Sequence, residues 1–137
     1  MNKFRLKILE SDRKFYDGEC ESVTFSISDG EYGILAGHSN MIAAVETGEL
    51  RFTDGEGKKT LLSVSTGIVK VENGDVLILV DSLELPEEID INRVQRHIDR
   101  AKEELLQKQS MREYKMTQAS LTRALNRLHI KETYKGK

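Results

Sequence analysis

The sequence predicts an α+β fold: an antiparallel β-sandwich over residues 1–86, followed by an antiparallel two-helix hairpin over residues 87–137. Three observations carry this. Apolar residues alternate with polar ones at period two as far as Pro86, the one proline of the chain. Beyond it they recur every three or four residues, the spacing of helix faces. Charge changes sign at the same place: residues 1–86 carry 9 Lys and Arg against 15 Asp and Glu, and residues 87–137 carry 12 against 8.

In chain order, Phe4, Leu6 and Ile8 mark a first half-buried strand, and Val23, Phe25 and Ile27 a second. The pairs Leu50/Phe52, Leu62/Val64 and Val69/Val71 and the apolar run Val76–Val80 mark further strands. Between them, Asp17-Gly18, Asp29-Gly30, Asp54-Gly55 and Asn73-Gly74 are expected as turns, because such dipeptides tolerate the positive φ of tight hairpins. Short strands at this spacing argue a sandwich or barrel. After Pro86, Ile91, Val94, Ile98, Ala101 and Leu105 form one helical seam, capped by Asp90. Tyr114, Gln118, Leu121, Leu125 and Leu128 form a second, with Ser110 and Glu113 as a capping box that starts the helix near Met111. Both seams are thin, since Ala101 is small and Gln118 polar, so a hairpin alone is marginal and alternative resting places for it are physically plausible.

Composition and motif content exclude several function classes. The lone Cys20 excludes an internal disulfide framework and fits a reducing compartment. No apolar stretch approaches the ~20 residues that span a bilayer, and Met1–Glu10 lacks the apolar middle of a signal peptide, so a soluble cytoplasmic chain is expected. Gly55-Glu56-Gly57 with Lys58-Lys59 lacks the spacing of a phosphate loop and reads as a hairpin turn. His38, His97 and His129 are scattered and Cys20 has no soft partner nearby, so no metal is expected. No nucleophile elbow occurs, and an enzyme is not expected. A net charge of −2 argues against nucleic acid as the partner of the whole chain.

The arginines of the helical half are more informative. Arg93, Arg96 and Arg100 fall on the first helix, and Arg123, Arg127 and Lys131 recur at i, i+4, i+8 on the second. Like charges at that spacing cost an isolated helix about 0.2–0.5 kcal/mol per pair, so helix stability does not explain the row. From Tyr114 to Ile130 there is no acidic residue. A solvated face is one reading; an anionic partner, either an acidic protein surface or the phosphates of a nucleotide, is the other.

Several segments carry a resemblance: Tyr16-Asp17-Gly18-Glu19, then Gly30-Glu31-Tyr32-Gly33-Ile34-Leu35 running into Gly37-His38, Gly67 before a strand, and Thr122-Arg123-Ala124-Leu125-Asn126-Arg127-Leu128. In this order and spacing the chain resembles, over essentially its whole length, the epsilon subunit of bacterial F-type ATP synthases. It departs from the family at Ala36, where a proline usually precedes the Gly-His pair, although Gly37 still supplies the unusual backbone conformation there. The resemblance implies a non-catalytic subunit of the rotor's central stalk, at the cytoplasmic face of the membrane and attached to it only through the complex. Its sandwich would bind the gamma subunit and sit on the c-subunit ring, with Glu31 and His38, in the matching loop, near the ring.

For the hairpin, the resemblance implies a brake on ATP hydrolysis that extends into the alpha/beta catalytic head, where Arg123, Arg127 and Lys131 would meet acidic residues of a beta subunit. Some members bind ATP on the compact hairpin through an Ile/Leu-Asp-x-x-Arg-Ala motif. Here Ile89-Asp90-Ile91-Asn92-Arg93-Val94 matches all but the last position, and Val94 adds bulk there. Arg100, Arg123 and Arg127 fall at phosphate-facing positions and Glu84 at a polar contact, so Glu84, Ile89, Asp90 and Arg93 straddle Pro86. Read without the resemblance, the chain fits a free-standing adaptor whose basic hairpin docks an acidic protein or RNA, His38 a turn residue satisfied by local backbone, and Asp90 an ordinary helix cap.

Overall fold

The computed structural model describes residues 2–11, 13–107 and 110–135. It divides into two compact units, Met1–Glu84 and Leu85–Lys137.

The first unit is built from nine strands: β1 (Phe4–Glu10), β2 (Arg13–Ile27), β3 (Gly30–Leu35), β4 (Met41–Val45), β5 (Gly48–Asp54), β6 (Lys59–Val64), β7 (Gly67–Glu72), β8 (Asp75–Val80) and β9 (Leu83–Glu84). They hydrogen-bond in the order β4-β7-β8-β1-β2-β5-β6-β9, with β3 also on β2. The long strand β2 makes the sandwich possible. Its first half pairs with β1 as far as Cys20, and its second half pairs with β5 and β3, with a register break between Cys20 and Ser22. One strand therefore serves both layers, and a bulge is the device that lets it bend between them. The core between the layers is the period-two set read from the sequence: Leu6, Ile8, Val23, Phe25, Leu50, Leu62 and Ile78 are all fully buried. Cys20 is buried at the bulge, and burial pushes its thiol up to about 11.

Three points differ from the sequence reading. The pairing is antiparallel throughout except between β1 and β8, which run parallel from Leu6↔Val76 to Glu10↔Val80. Asp17-Gly18 is not a turn but lies inside β2, opposite Lys7 and Leu6. The reversal comes earlier, between Glu10 and Arg13, with Ser11 at φ 46°. Gly18 is explained by crowding: a Cβ there would lie 3.1 Å from the Tyr16 hydroxyl, which donates to the Glu19 carbonyl. The third point is β3, which places Glu31 in a strand rather than a loop. The other turns form as expected. Asn73 and Gly74 both take positive φ in a two-residue hairpin, and the Asp54 carboxylate accepts from the amides of Glu56 and Lys58.

The second unit opens with a 3-10 turn, Pro86–Glu88, and continues as α1 (Ile91–Leu106) and α2 (Met111–Lys135). Proline is suited to the first position of such a turn because the amide it lacks would have no partner there. Asp90 caps α1, its Oδ1 accepting from the amides of Asn92 at 3.0 Å and Arg93 at 3.2 Å. Ser110 caps α2 by accepting from the Glu113 amide at 3.2 Å. On α1 the seam is the expected one, with Val94, Ile98 and Ala101 buried and Ile91 and Leu105 half-buried. On α2 it is not: Thr117 and Ala124 are buried and Leu121 and Leu128 half-buried, while Tyr114, Gln118 and Leu125 are exposed. The helix is rotated by about 60° from the expected setting. Ala124 and Thr117 are small enough to let α2 approach α1 closely, and the Thr117 hydroxyl is satisfied by the Glu113 carbonyl at 3.0 Å and the Glu104 carboxylate at 3.4 Å.

Candidate functional site

On α1, positions 90, 93, 97, 100 and 104 step by 3, 4, 3, 4 and therefore share one flank of the helix beside the buried seam. They are Asp90, Arg93, His97, Arg100 and Glu104. The far end of this flank reaches α2 through the Glu104–Thr117 hydrogen bond. Its middle reaches α2 electrostatically. Burial first, and then the guanidinium groups of Arg93, Arg127, Arg100 and Arg96, hold the His97 imidazole below the usual histidine value. Arg127 belongs to α2, so guanidinium groups from both helices, Arg93 and Arg100 on one and Arg127 on the other, act on one half-buried histidine. Arg123 stands one helical turn before Arg127 and is exposed.

The flank begins with a carboxylate. The hydrogen bond from the Arg93 amide, with that from Asn92 and the charges of Arg96 and Arg93, keeps the Asp90 carboxyl below the usual range against the opposing effect of burial. Both capping bonds use Oδ1, so capping itself does not use Oδ2. Ile89 is buried beside it, and Val94 is fully buried on the seam stripe. The arrangement offers an ionised acceptor at one end and guanidinium groups along the rest, a set suited to a ligand with an amine and several phosphate oxygens. Histidine 97 is the residue of this group that sequence reading passed over; its 3, 4 spacing from Arg93 and Arg100 was the available signal.

Lys131 is placed differently. Each step of four along a helix turns a row by about 40°, so the row from exposed Arg123 through half-buried Arg127 arrives at the seam with Lys131. There its Nζ donates to the Pro86 carbonyl at 3.0 Å, tying α2 to the 3-10 turn. Glu84 belongs to the first unit, in β9 opposite Ser63.

The other candidate residues also lie in the first unit. Glu31 accepts from Arg51 at 2.8 Å, and Arg51 also reaches Glu49 at 3.2 Å. His38 follows β3, with Nδ1 2.7 Å from the Ser39 carbonyl and Nε2 2.6 Å from the Tyr32 hydroxyl. A carbonyl only accepts, so Nδ1 carries the proton, and in the neutral ring Nε2 accepts from Tyr32. Tyr32 stacks edge-on against His38 at 5.6 Å and on Phe25 at 6.0 Å, which fixes the ring on the core. Outward-facing apolar side chains gather on β4 and β7: Ile42 is 74% exposed, and Ala44 stands opposite the exposed Ile68. Among the described residues no cluster of three metal-ligating side chains occurs, and no helix is long and apolar enough to cross a membrane.

The comparisons agree with this architecture. Residues 3–86 match the family model of the ATP synthase delta/epsilon chain β-sandwich domain, and residues 87–132 match that of its long α-helix domain. The ATP synthase epsilon chain of Ruminiclostridium cellulolyticum is 44% identical over 128 residues, covering 93% of this chain and 95% of that one. That of Caldicellulosiruptor saccharolyticus is 38% identical over 132 residues, covering 96% of each. Among solved structures, a chain of the Euglena gracilis mitochondrial ATP synthase, OSCP/F1/c-ring, aligns with a TM-score of 0.72 at 22% identity, covering 98% of this chain and 80% of that one. A chain of the Tetrahymena thermophila mitochondrial ATP synthase central stalk and c-ring aligns at 0.65 and 12%, covering 95% and 97%. At those identities the structural likeness bears on the fold, whereas the matches at 44% and 38% over nearly full length bear on kinship. The chain belongs to the ATP synthase epsilon chain family.

Proposed function

We propose that this chain is a non-catalytic central-stalk subunit of a bacterial F-type ATP synthase whose hairpin restrains ATP hydrolysis and is itself held compact by ATP. The observation that carries the regulatory part is that guanidinium groups from two helices, those of Arg93, Arg100 and Arg127, act on His97, with the Asp90 carboxylate at the start of α1. Such a row of cations is costly for the helices themselves, and a polyphosphate that touched both helices would offset the cost only while they stay paired. Asp90 would accept from the adenine amine and Arg93, Arg100, Arg123 and Arg127 would face phosphate oxygens. A ligand that binds the compact form alone shifts the population towards it by its own binding energy.

In the extended form Arg123, Arg127 and Lys131 would meet an acidic surface of a beta subunit, so the same cations serve the two states in turn. The sandwich would bind the gamma subunit and the c ring, placing the protein at the cytoplasmic face of the membrane through the complex. The exposed apolar residues Ile42 and Ile68 support a docking role for that unit, as does His38, which local bonds hold in a fixed orientation.

Two measurements test the proposal. Calorimetric titration of ATP into the isolated chain should give binding that Arg93→Ala and Arg127→Ala weaken; no heat and no chemical-shift change at millimolar ATP would sink the ligand reading. ATP hydrolysis by the assembled complex should rise when residues 87–137 are removed. Unchanged hydrolysis would show that the hairpin is no brake.

A further inference from the structure

His97 is the one member of the cationic flank whose charge can change near neutral pH. It lies three residues after Val94 and four before Ala101, both buried, and is itself half-buried beside the seam. The charged groups that act on it are Arg93, Arg96 and Arg100 of its own helix and Arg127 of α2. On the same flank, Asp90 Oδ1 holds the amides of Asn92 and Arg93, and Glu104 Oε2 accepts from the Thr117 hydroxyl. With no anion present, a proton on this ring would be one more positive charge among four guanidinium groups. A polyphosphate chain held by those groups would reverse the sign of the local field, and the same proton would then be stabilised.

We propose that His97 couples polyphosphate binding on the hairpin to proton uptake, so that a nucleoside triphosphate and a proton occupy this face together. The inference rests on the reading of the flank as the phosphate-binding face. No covalent bond changes: the ring nitrogen lone pair takes a proton from solvent as the anion arrives. Linkage makes the effect reciprocal, and each pH unit by which the bound anion raises the His97 midpoint strengthens binding about tenfold on the acid side relative to the alkaline side. The hairpin thereby responds to acidity and to nucleotide as a single input.

The test follows the imidazole resonances of the full-length chain by NMR against pH at constant ionic strength, with and without millimolar inorganic tripolyphosphate. His97 should titrate below the ordinary histidine value alone, and about one pH unit or more higher with the anion. His97→Gln should still bind the anion but lose the extra gain in affinity between about pH 8 and about pH 6 that the unsubstituted chain shows. If tripolyphosphate perturbs the amides of Arg93, Arg100 and Arg127 but leaves the His97 midpoint unmoved, proton coupling is wrong and the anion face stands. If it perturbs none of those amides, the anion face is wrong, and the coupling falls with it.

Discussion

Lys131→Met isolates the contact that closes the hairpin onto its own entry turn. Methionine keeps the length and apolar stem of lysine and removes the donor to the Pro86 carbonyl, which lies 3.0 Å from Nζ. A hydrogen bond from a charged group contributes about 1.5–3 kcal/mol, but two features of the structure reduce that here. The Pro86 carbonyl also accepts from the Ile89 amide at 3.2 Å, so it is not left unsatisfied. Lys131 is only half-buried, so water can replace part of what is lost. A cost of about 1 kcal/mol follows, or roughly a fivefold rise in the opening equilibrium of the last turns of α2. Native-state hydrogen exchange on the full-length chain reads this directly: amides around Ile130 should lose about fivefold in protection, with β-strand amides unchanged. Lys131→Arg should retain most of the protection because a guanidinium can still donate, and Arg123→Met, at an exposed position, should change little. Unaltered protection around Ile130 in Lys131→Met would refute the latch.

Three further outcomes are expected. Asp90→Ser should leave α1 nearly as well capped as before while weakening ATP binding about tenfold or more, and Asp90→Ala should weaken both; if Asp90→Ser binds ATP like the unsubstituted chain, Asp90 is a cap alone. Gly67→Ala should destabilise the sandwich by about 1–3 kcal/mol, because its Cβ would clash with the Leu79 carbonyl and lie 2.7 Å from Val80 Cα, backbone that no side-chain rotation relieves; an unchanged urea midpoint would contradict this. In the absence of nucleotide the hairpin should lose stability in acid. His97 is held below its ordinary value when folded, so the unfolded chain binds the proton first, and stability present above about pH 6.5 declines as pH falls through the folded midpoint. His97→Gln should flatten the slope of exchange-derived stability over that range.

Where the sequence reads correctly, local pattern and burial agree; where it misleads, a close neighbour from elsewhere in the chain decides. Phe4, Leu6 and Ile8, or Val94, Ile98 and Ala101, face the core at the period their sequence displays, because one buried face is enough to set the register. Gly18 looks like a turn residue because glycine usually supplies positive φ, yet it sits in an extended strand to make room for the Tyr16 ring. The parallel pairing of β1 with β8 joins residues some seventy apart, and nothing in either strand announces it. β3 and β4 are short and partly exposed; β3 carries few apolar residues and β4 is apolar at every position, so neither shows a clear period. The candidate site follows the same division. Arg93, Arg100, Arg123 and Arg127 are legible as a charge row, whereas the influence of Arg127 on His97 depends on how α2 is rotated.

That rotation bears on the hairpin's capacity to move. Two overlapping stripes run along α2, one through Thr117, Leu121, Ala124 and Leu128 and the other through Tyr114, Gln118, Leu121, Leu125 and Leu128. The compact form uses the first, which is the poorer in large side chains, and leaves Leu125 43% and Tyr114 38% exposed. Along this seam α2 buries Thr117 and Ala124, with Ile130 buried near its end, while Leu125 and Tyr114 hold part of their apolar surface in reserve, worth roughly 25 cal/mol for each Å² later covered. An acidic partner surface with an apolar centre would cover that reserve and pair Arg123 at the same time, competing with α1 on terms that need differ by only a few kcal/mol. On the proposed reading, the small residues at 117 and 124 would make the compact seam weak enough to be exchanged, and the cations flanking it would give a bound polyphosphate the means to prevent that exchange.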